Sequence, residues 1–135
     1  MNVLITLPKR LIDAIISGEK QYEMRTVKPL MMNLKEDGFF CVEKGTDNVR
    51  CWCRCDNISE AMLPYTDYQV MARLLAVTPE YIEKYVKGKR HVYLWHIDSV
   101  VEFEEDSLGR DSLIVDKNPQ QFAYCPLSYG RSILF

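Results

Sequence analysis

The run from Asn2 to Lys28 limits what this chain can fold into more than any other stretch, because it holds two extended segments, a helix and the residue that separates them. Asn2 to Leu7 is short and largely apolar, with Val, Ile and Thr, which fits a buried strand. Leu7, Leu11, Ile12, Ile15 and Ile16 then recur at three- and four-residue intervals, placing one apolar stripe along a helix. Pro8 suits the first helical position, and Gly18 suits the left-handed residue that ends the last turn. From Lys20 to Lys28, Tyr22, Met24 and Thr26 alternate with Glu23, Arg25 and Val27, which is the period of a strand. Such a unit must bury the strand and one helix face against further elements.

The rest of the chain supplies them. Gly38 to Glu43 and Val49 to Asp56 read as two strands joined through Gly45, Thr46, Asp47 and Asn48, a hairpin. Strict alternation puts Val49, Cys51, Cys53 and Cys55 on one side and Arg50, Trp52 and Arg54 on the other. Thr66 with Gln69 resembles a capping box opening a helix through Ala76. Thr78-Pro79 opens a second helix through Tyr81, Ile82, Tyr85 and Val86, which stops at Gly88. His91 to Phe103 is the longest β-rich stretch and is expected to be a central strand. Ser107 to Phe135 is turn-rich, with a short apolar run at Leu113 to Val115 and aromatics at Phe122, Tyr124 and Tyr129. The order favours a mixed α+β domain around a curved sheet, with residues 1–135 forming one domain.

Composition narrows the function classes. With 47% apolar and 27% charged residues among 135, the chain has the make-up of one soluble domain rather than a disordered or fibrous one. No apolar run approaches the roughly 18 to 20 residues that span a bilayer, and the N-terminus shows no cleavable leader, so neither membrane insertion nor export is expected. The net charge of −2 excludes a bulk polyanion binder and requires any nucleic-acid contact to use a local basic cleft. Lys9 to Lys28 carries a net positive charge, whereas Asp98, Glu102, Glu104, Glu105 and Asp106 form an acidic run expected to be a solvated turn. Five cysteines without an export signal point to reduced thiols and a cytoplasmic location.

Gly18-Glu19-Lys20-Gln21-Tyr22-Glu23-Met24-Arg25 is the sharpest chemical feature, since it presents an amine, a carboxylate and a guanidinium within six positions. Glu23 and Arg25 share a strand face, and Lys20 enters from the loop. Arg25 suits a phosphate or carboxylate clamp, and Lys20 suits a point charge, a base or a nucleophile. The blander alternative is a solvated surface ion pair. Arg50, Trp52 and Arg54 suit stacking and phosphate contact with an unpaired base, against the alternative of core packing. Cys51-x-Cys53-x-Cys55 is spaced more tightly than structural zinc pairs, so it reads as small buried side chains, and no metal or cofactor is expected. His91 and His96 fall on opposite faces of their strand, with His96 beside Asp98. Lys84, Lys87, Lys89 and Arg90 either approach phosphates or complement a helix C-terminus.

Gly18-x-Lys20-x-x-Glu23-x-Arg25 after an amphipathic helix resembles the signature of the ASCH domain family, relatives of the PUA domain. Val92 to Val100 is similar to the family's late strand, and Asn118-Pro119-Gln120-Gln121-Phe122-Ala123-Tyr124 resembles a tail seen in many members. The resemblance spans Leu4 to about Tyr124. It implies a PUA-like small mixed β-barrel of about five to six strands with flanking helices, and a cleft lined by Lys20, Glu23 and Arg25 that binds RNA, a nucleotide or a modified nucleoside. One branch is an amidohydrolase of N4-acetylcytidine that uses a lysine, a threonine three residues on and a distant glutamate. Lys20 matches the lysine, Glu23 occupies the threonine's position, and Glu60, Asp67 and Glu80 are the acidic options for the third group. In that reading Lys20 and Glu23 are catalytic. A protein-interaction adaptor without a nucleic-acid ligand is the third reading, and whether the chain is an enzyme stays open.

Overall fold

A computed structural model describes residues 1–126 of the chain, so Tyr129 lies outside the described residues. The elements are β1 (Val3–Leu7), α1 (Lys9–Ser17), β2 (Tyr22–Arg25), β3 (Gly38–Glu43), β4 (Val49–Met62), α2 (Tyr68–Leu75), α3 (Pro79–Tyr85), β5 (His91–Glu102) and β6 (Ala123–Tyr124). Short 3-10 turns occupy Leu63–Tyr65 and Arg110–Leu113. One six-stranded sheet runs in the order β2-β5-β4-β3-β1-β6, with β1 parallel to β3 and every other pairing antiparallel. The sheet curls into a half-barrel carrying three helices, an α+β PUA-like architecture.

Both faces of the inner strands are covered, which explains their unbroken apolar runs. Val3, Ile5, Phe39 and Cys41 pack under Leu11, Ile12 and Ile15 of α1. Leu4, Phe40, Val42 and Trp52 pack on the other side with Leu113 and Val115. Met71, Ala72 and Leu75 of α2 and Ile82 of α3 cover Met24 and Val92 in a third cluster. No helix among the described residues is long and apolar enough to cross a membrane.

Several details differ from the sequence reading, among them β2, which is confined to Tyr22–Arg25 within the stretch read from Lys20 to Lys28. Pro8 is the N-cap of α1, one position before the helix starts. β4 continues past Asp56 to Met62, because Asn57, Ser59 and Glu60 pair with β5 while facing solvent and so show no apolar alternation. A register shift opposite Cys41 and Val42 makes Arg50 an extra residue, which puts Val49 in the cluster of Trp52 rather than with Cys51 and Cys53. α2 is capped by Asp67, whose Oδ1 accepts from the N–H groups of Gln69 and Val70 at 2.9 and 3.3 Å. Thr66 instead donates its hydroxyl to the Met62 carbonyl. Asp67→Ala should therefore cost about 1 kcal/mol, and Thr66→Ala clearly less, in urea unfolding. The second helix start was legible: the Thr78 Oγ1 accepts from the Tyr81 N–H at 3.1 Å.

Candidate functional site

Gly18 ends α1 at a φ of 87°, a left-handed conformation that a glycine adopts without a Cβ penalty. The chain doubles back so that the Lys20 N–H bonds to the Ala14 carbonyl at 2.9 Å, which fixes the Lys20 backbone against the helix just left. β2 then pairs with β5, Glu23 opposite Trp95 and Arg25 opposite Tyr93. Met24 faces α2 and α3. The charged side of β2 is therefore the inner side of the sheet.

Lys20, Glu23 and Arg25 are 3%, 4% and 7% exposed, so the solvated surface pair is not what forms. Lys20 Nζ lies 3.4 Å from Glu23 Oε1 and donates to the Leu75 carbonyl at 3.2 Å. Arg25 Nη2 donates to Glu23 Oε2 at 3.1 Å and to the Thr6 carbonyl at 3.3 Å. Arg25 Nη1 donates to the carbonyls of Gln120 and Gln121 at 3.2 and 3.0 Å. Glu23 Oε1 also accepts the Met24 N–H at 2.9 Å. Burial, the largest effect, pushes the Glu23 carboxyl up, but Lys20, Arg25 and the Met24 N–H together outweigh it and hold the group below its ordinary value.

Counting donors decides what each group can still bind. Arg25 has five N–H groups, of which four are engaged and the fifth, on Nε, is buried without a partner. Its fork is spent, so the phosphate clamp expected from the sequence is replaced by a strut. That strut ties β2, at one end of the sheet order, to β1 and to the segment entering β6, at the other. Lys20 donates one hydrogen bond, to the Leu75 carbonyl, and faces Glu23 Oε1 as an ion pair, so it keeps donor capacity. Glu23 accepts one hydrogen bond on each oxygen, from the Met24 N–H and from Arg25, and keeps acceptor capacity.

All three side chains line one cavity of about 430 Å³. Its walls are apolar at Leu7, Pro8, Leu11, Leu75 and Val77, and its rim carries Lys44, Asn118 and Gln120. Tyr81 and Tyr85, one helical turn apart on α3, also line it, with ring centroids 6.4 Å apart and nearly parallel planes. The segment from Asn118 to Gln120 also lines it and is held in place: Asn118 bonds to Arg110 and to the Thr46 carbonyl, and Thr6 Oγ1 donates to the Pro119 carbonyl at 2.7 Å. The rim and the tyrosines escaped sequence reasoning. Tyr81 and Tyr85 share an i, i+4 face that was readable only as helix packing, and nothing local joins residue 118 to residue 20.

The other sequence candidates lie elsewhere. Trp52 is 8% exposed, packs in the second core cluster and donates Nε1 to Asn2 Oδ1 at 3.2 Å, so its ring presents no free face for a base. Arg50 pairs with Asp13 at 2.8 Å and Glu43 at 3.0 Å. Arg54 donates to the carbonyls of Leu34, Asp37 and Cys55. None of the three lines the cavity. Glu60 faces His91, Asp67 caps α2 and Glu80 is exposed in the first turn of α3, so Glu23 is the cavity's single carboxylate among the described residues. His96 Nδ1 pairs with Asp56 Oδ1 at 2.6 Å rather than with Asp98. Lys84, Lys87, Lys89 and Arg90 do not line the cavity.

The cysteines form a cluster that the sequence spacing did not reveal. Cys41 of β3 joins Cys51 and Cys53 of β4, with all three sulfur atoms within 4.8 Å of one another and fully buried. Hydrogen bonds from Cys41 and Cys53 bring the Cys51 thiol down to about 5, while burial pushes Cys41 and Cys53 well up.

A curled mixed sheet with three helices and a cavity lined by buried charges defines a PUA-like fold. Within that class the fold is the ASCH fold. The crystal structure of the ASCH protein from Zymomonas mobilis superimposes with a TM-score of 0.79 at 14% identity, covering 98% of this chain and 93% of that one. Two mutant forms of the same protein give TM-scores of 0.82 and 0.79 at 14% and 15% identity, covering 98% of this chain and 94% and 96% of theirs. No family model matches the sequence, and no curated protein matches it.

Proposed function

We propose that this chain binds a nucleobase-bearing ligand, either a free nucleoside or nucleotide or an unpaired base of RNA, in the cavity floored by Lys20 and Glu23. The observation that carries this reading is a buried ammonium with donor capacity, Lys20, 3.4 Å from a carboxylate with acceptor capacity, Glu23, both lining one cavity. A carbonyl next to an N–H, as on the pairing edge of a base, fits that pair; a phosphate, which needs several donors, does not. The volume suits one base and its sugar rather than a strand, and the apolar walls suit an aromatic ring. Arg25 acts in this reading as a positioning residue that holds Glu23 and the Asn118–Gln121 segment.

The amidohydrolase reading rests on the 3.4 Å approach of Lys20 to Glu23. Two facts weigh against it. The hydroxyl position holds a carboxylate, and a carboxyl held below its ordinary value is a poor general base at neutral pH. Binding therefore ranks above catalysis, and both rank above an adaptor role, which gives no use to a buried charged cavity.

The test is equilibrium binding of the four ribonucleosides, of N4-acetylcytidine and of short single-stranded RNA to wild type and to Lys20→Met. The expected result is saturable binding of at least one nucleoside-sized ligand that weakens about tenfold or more in Lys20→Met, the loss of a charged hydrogen bond. Chromatography of the N4-acetylcytidine sample over time reports hydrolysis separately. Absence of binding to every member of that set would overturn the proposal.

A further inference from the structure

The three sulfur atoms of Cys41, Cys51 and Cys53 form the one cluster of metal-ligating groups found among the described residues. Strand register builds it. Cys41 and Cys51 are direct partners across β3 and β4, and Cys53 lies two residues along β4 on the same face. None of the three is in a disulfide. A metal bound to thiolates at about 2.3 Å in a flat trigonal arrangement sets its sulfurs about 4.0 Å apart, inside the 4.8 Å bound observed here. Small side-chain rotations suffice to close the triangle on an ion.

The surroundings select the ion. Ile5, Leu11, Ile12, Ile15 and Phe39 belong to the same core cluster, and no histidine or carboxylate joins the sulfurs as a fourth ligand among the described residues. Zn²⁺ in a protein takes four ligands, and hard cations take oxygen, so a dry site with three sulfurs suits neither. Soft thiolate donors in a low coordination number favour Cu(I). We infer that Cys41, Cys51 and Cys53 form a three-sulfur site for Cu(I), separate from the nucleobase cavity. On uptake three sulfur–copper bonds form, any thiol proton passes to solvent, and neither copper nor sulfur changes oxidation state.

The experiment uses the reduced chain under anaerobic conditions, with Cu(I) presented as a complex with a coloured chelator. The expected result is transfer of one Cu(I) per chain, a coordination shell of three sulfurs by X-ray absorption, and a higher unfolding temperature in the loaded protein. Cys51→Ala should weaken uptake about tenfold or more, since changes one shell further out already cost that much. Cys125→Ala, in the second core cluster, should leave uptake unchanged. Retention of all Cu(I) by the chelator, a shell of two sulfurs, uptake indifferent to Cys51→Ala or uptake abolished by Cys125→Ala would each overturn the site. If Cys51→Ala does not fold, the sulfur count on the unsubstituted protein and the Cys125→Ala result decide.

Discussion

Glu23→Gln should lower the unfolding free energy by about 3 to 5 kcal/mol, the range seen when one partner of a buried ion pair is removed. The carboxylate is the counter-charge of two buried cations, so the amide leaves Lys20 Nζ and the Arg25 guanidinium facing each other with no negative charge between them. Lys20→Met combined with Glu23→Gln should cost less than the sum of the two single changes, because the second substitution removes one of the stranded charges. Acid titration supplies an independent check. The folded-state value of Glu23 is depressed, so its contribution to stability is complete above the ordinary glutamate value and is lost as pH falls through the lower folded one. The stability gap between wild type and Glu23→Gln should therefore narrow in acid. Urea unfolding at several pH values measures both effects, and a loss under about 1 kcal/mol at neutral pH would place the group in the class of exposed pairs.

Gly38→Ala should destabilise the fold by about 3 kcal/mol or more, at or beyond the upper end of what overpacking ordinarily costs. A Cβ at residue 38 would stand 1.9 Å from the Cys53 carbonyl oxygen and 2.9 Å from Cζ2 of the Trp52 ring. The nearest atom is backbone of the partner strand, which has no rotamer to escape into. Relief requires β3 and β4 to separate where Gly38 faces Arg54, and with it the bond from the Gly38 N–H to Asn2 Oδ1. Gly18→Ala is the useful contrast. A methyl group added at Gly18 would meet nothing within 4 Å, and the position needs only its left-handed φ, so alanine there should cost about 1 to 2 kcal/mol. Denaturation midpoints of the two variants separate steric exclusion from backbone preference.

Local chemistry made much of this legible. The apolar stripe of α1, the Gly18 stop, the Thr78 cap and the β3–β4 hairpin each depend on residues within a few positions of one another, and each is read from spacing. Lys20, Glu23 and Arg25 were legible as a group for the same reason. Their depth was not, because the inner face of β2 is defined by pairing with β5, which lies far along the chain. Nor was the saturation of Arg25, whose acceptors lie at residues 6, 120 and 121. Trp52 and Arg50 part company at a register shift that no alternation rule contains. Cys41 and Cys51 belong to different strands, and only the register between those strands sets their sulfurs side by side.

The strut at Arg25 also decides how the sheet is closed. The sheet's two ends meet through side-chain hydrogen bonds, those of Arg25 and those of Gln121 with Thr26 and Tyr124 with Met31, where a closed barrel would have a continuous ladder of strand pairing. Parting that seam costs a few side-chain contacts and disturbs no backbone register. Closure at this edge is a matter of side chains, and every strand keeps its hydrogen-bonded neighbour without it.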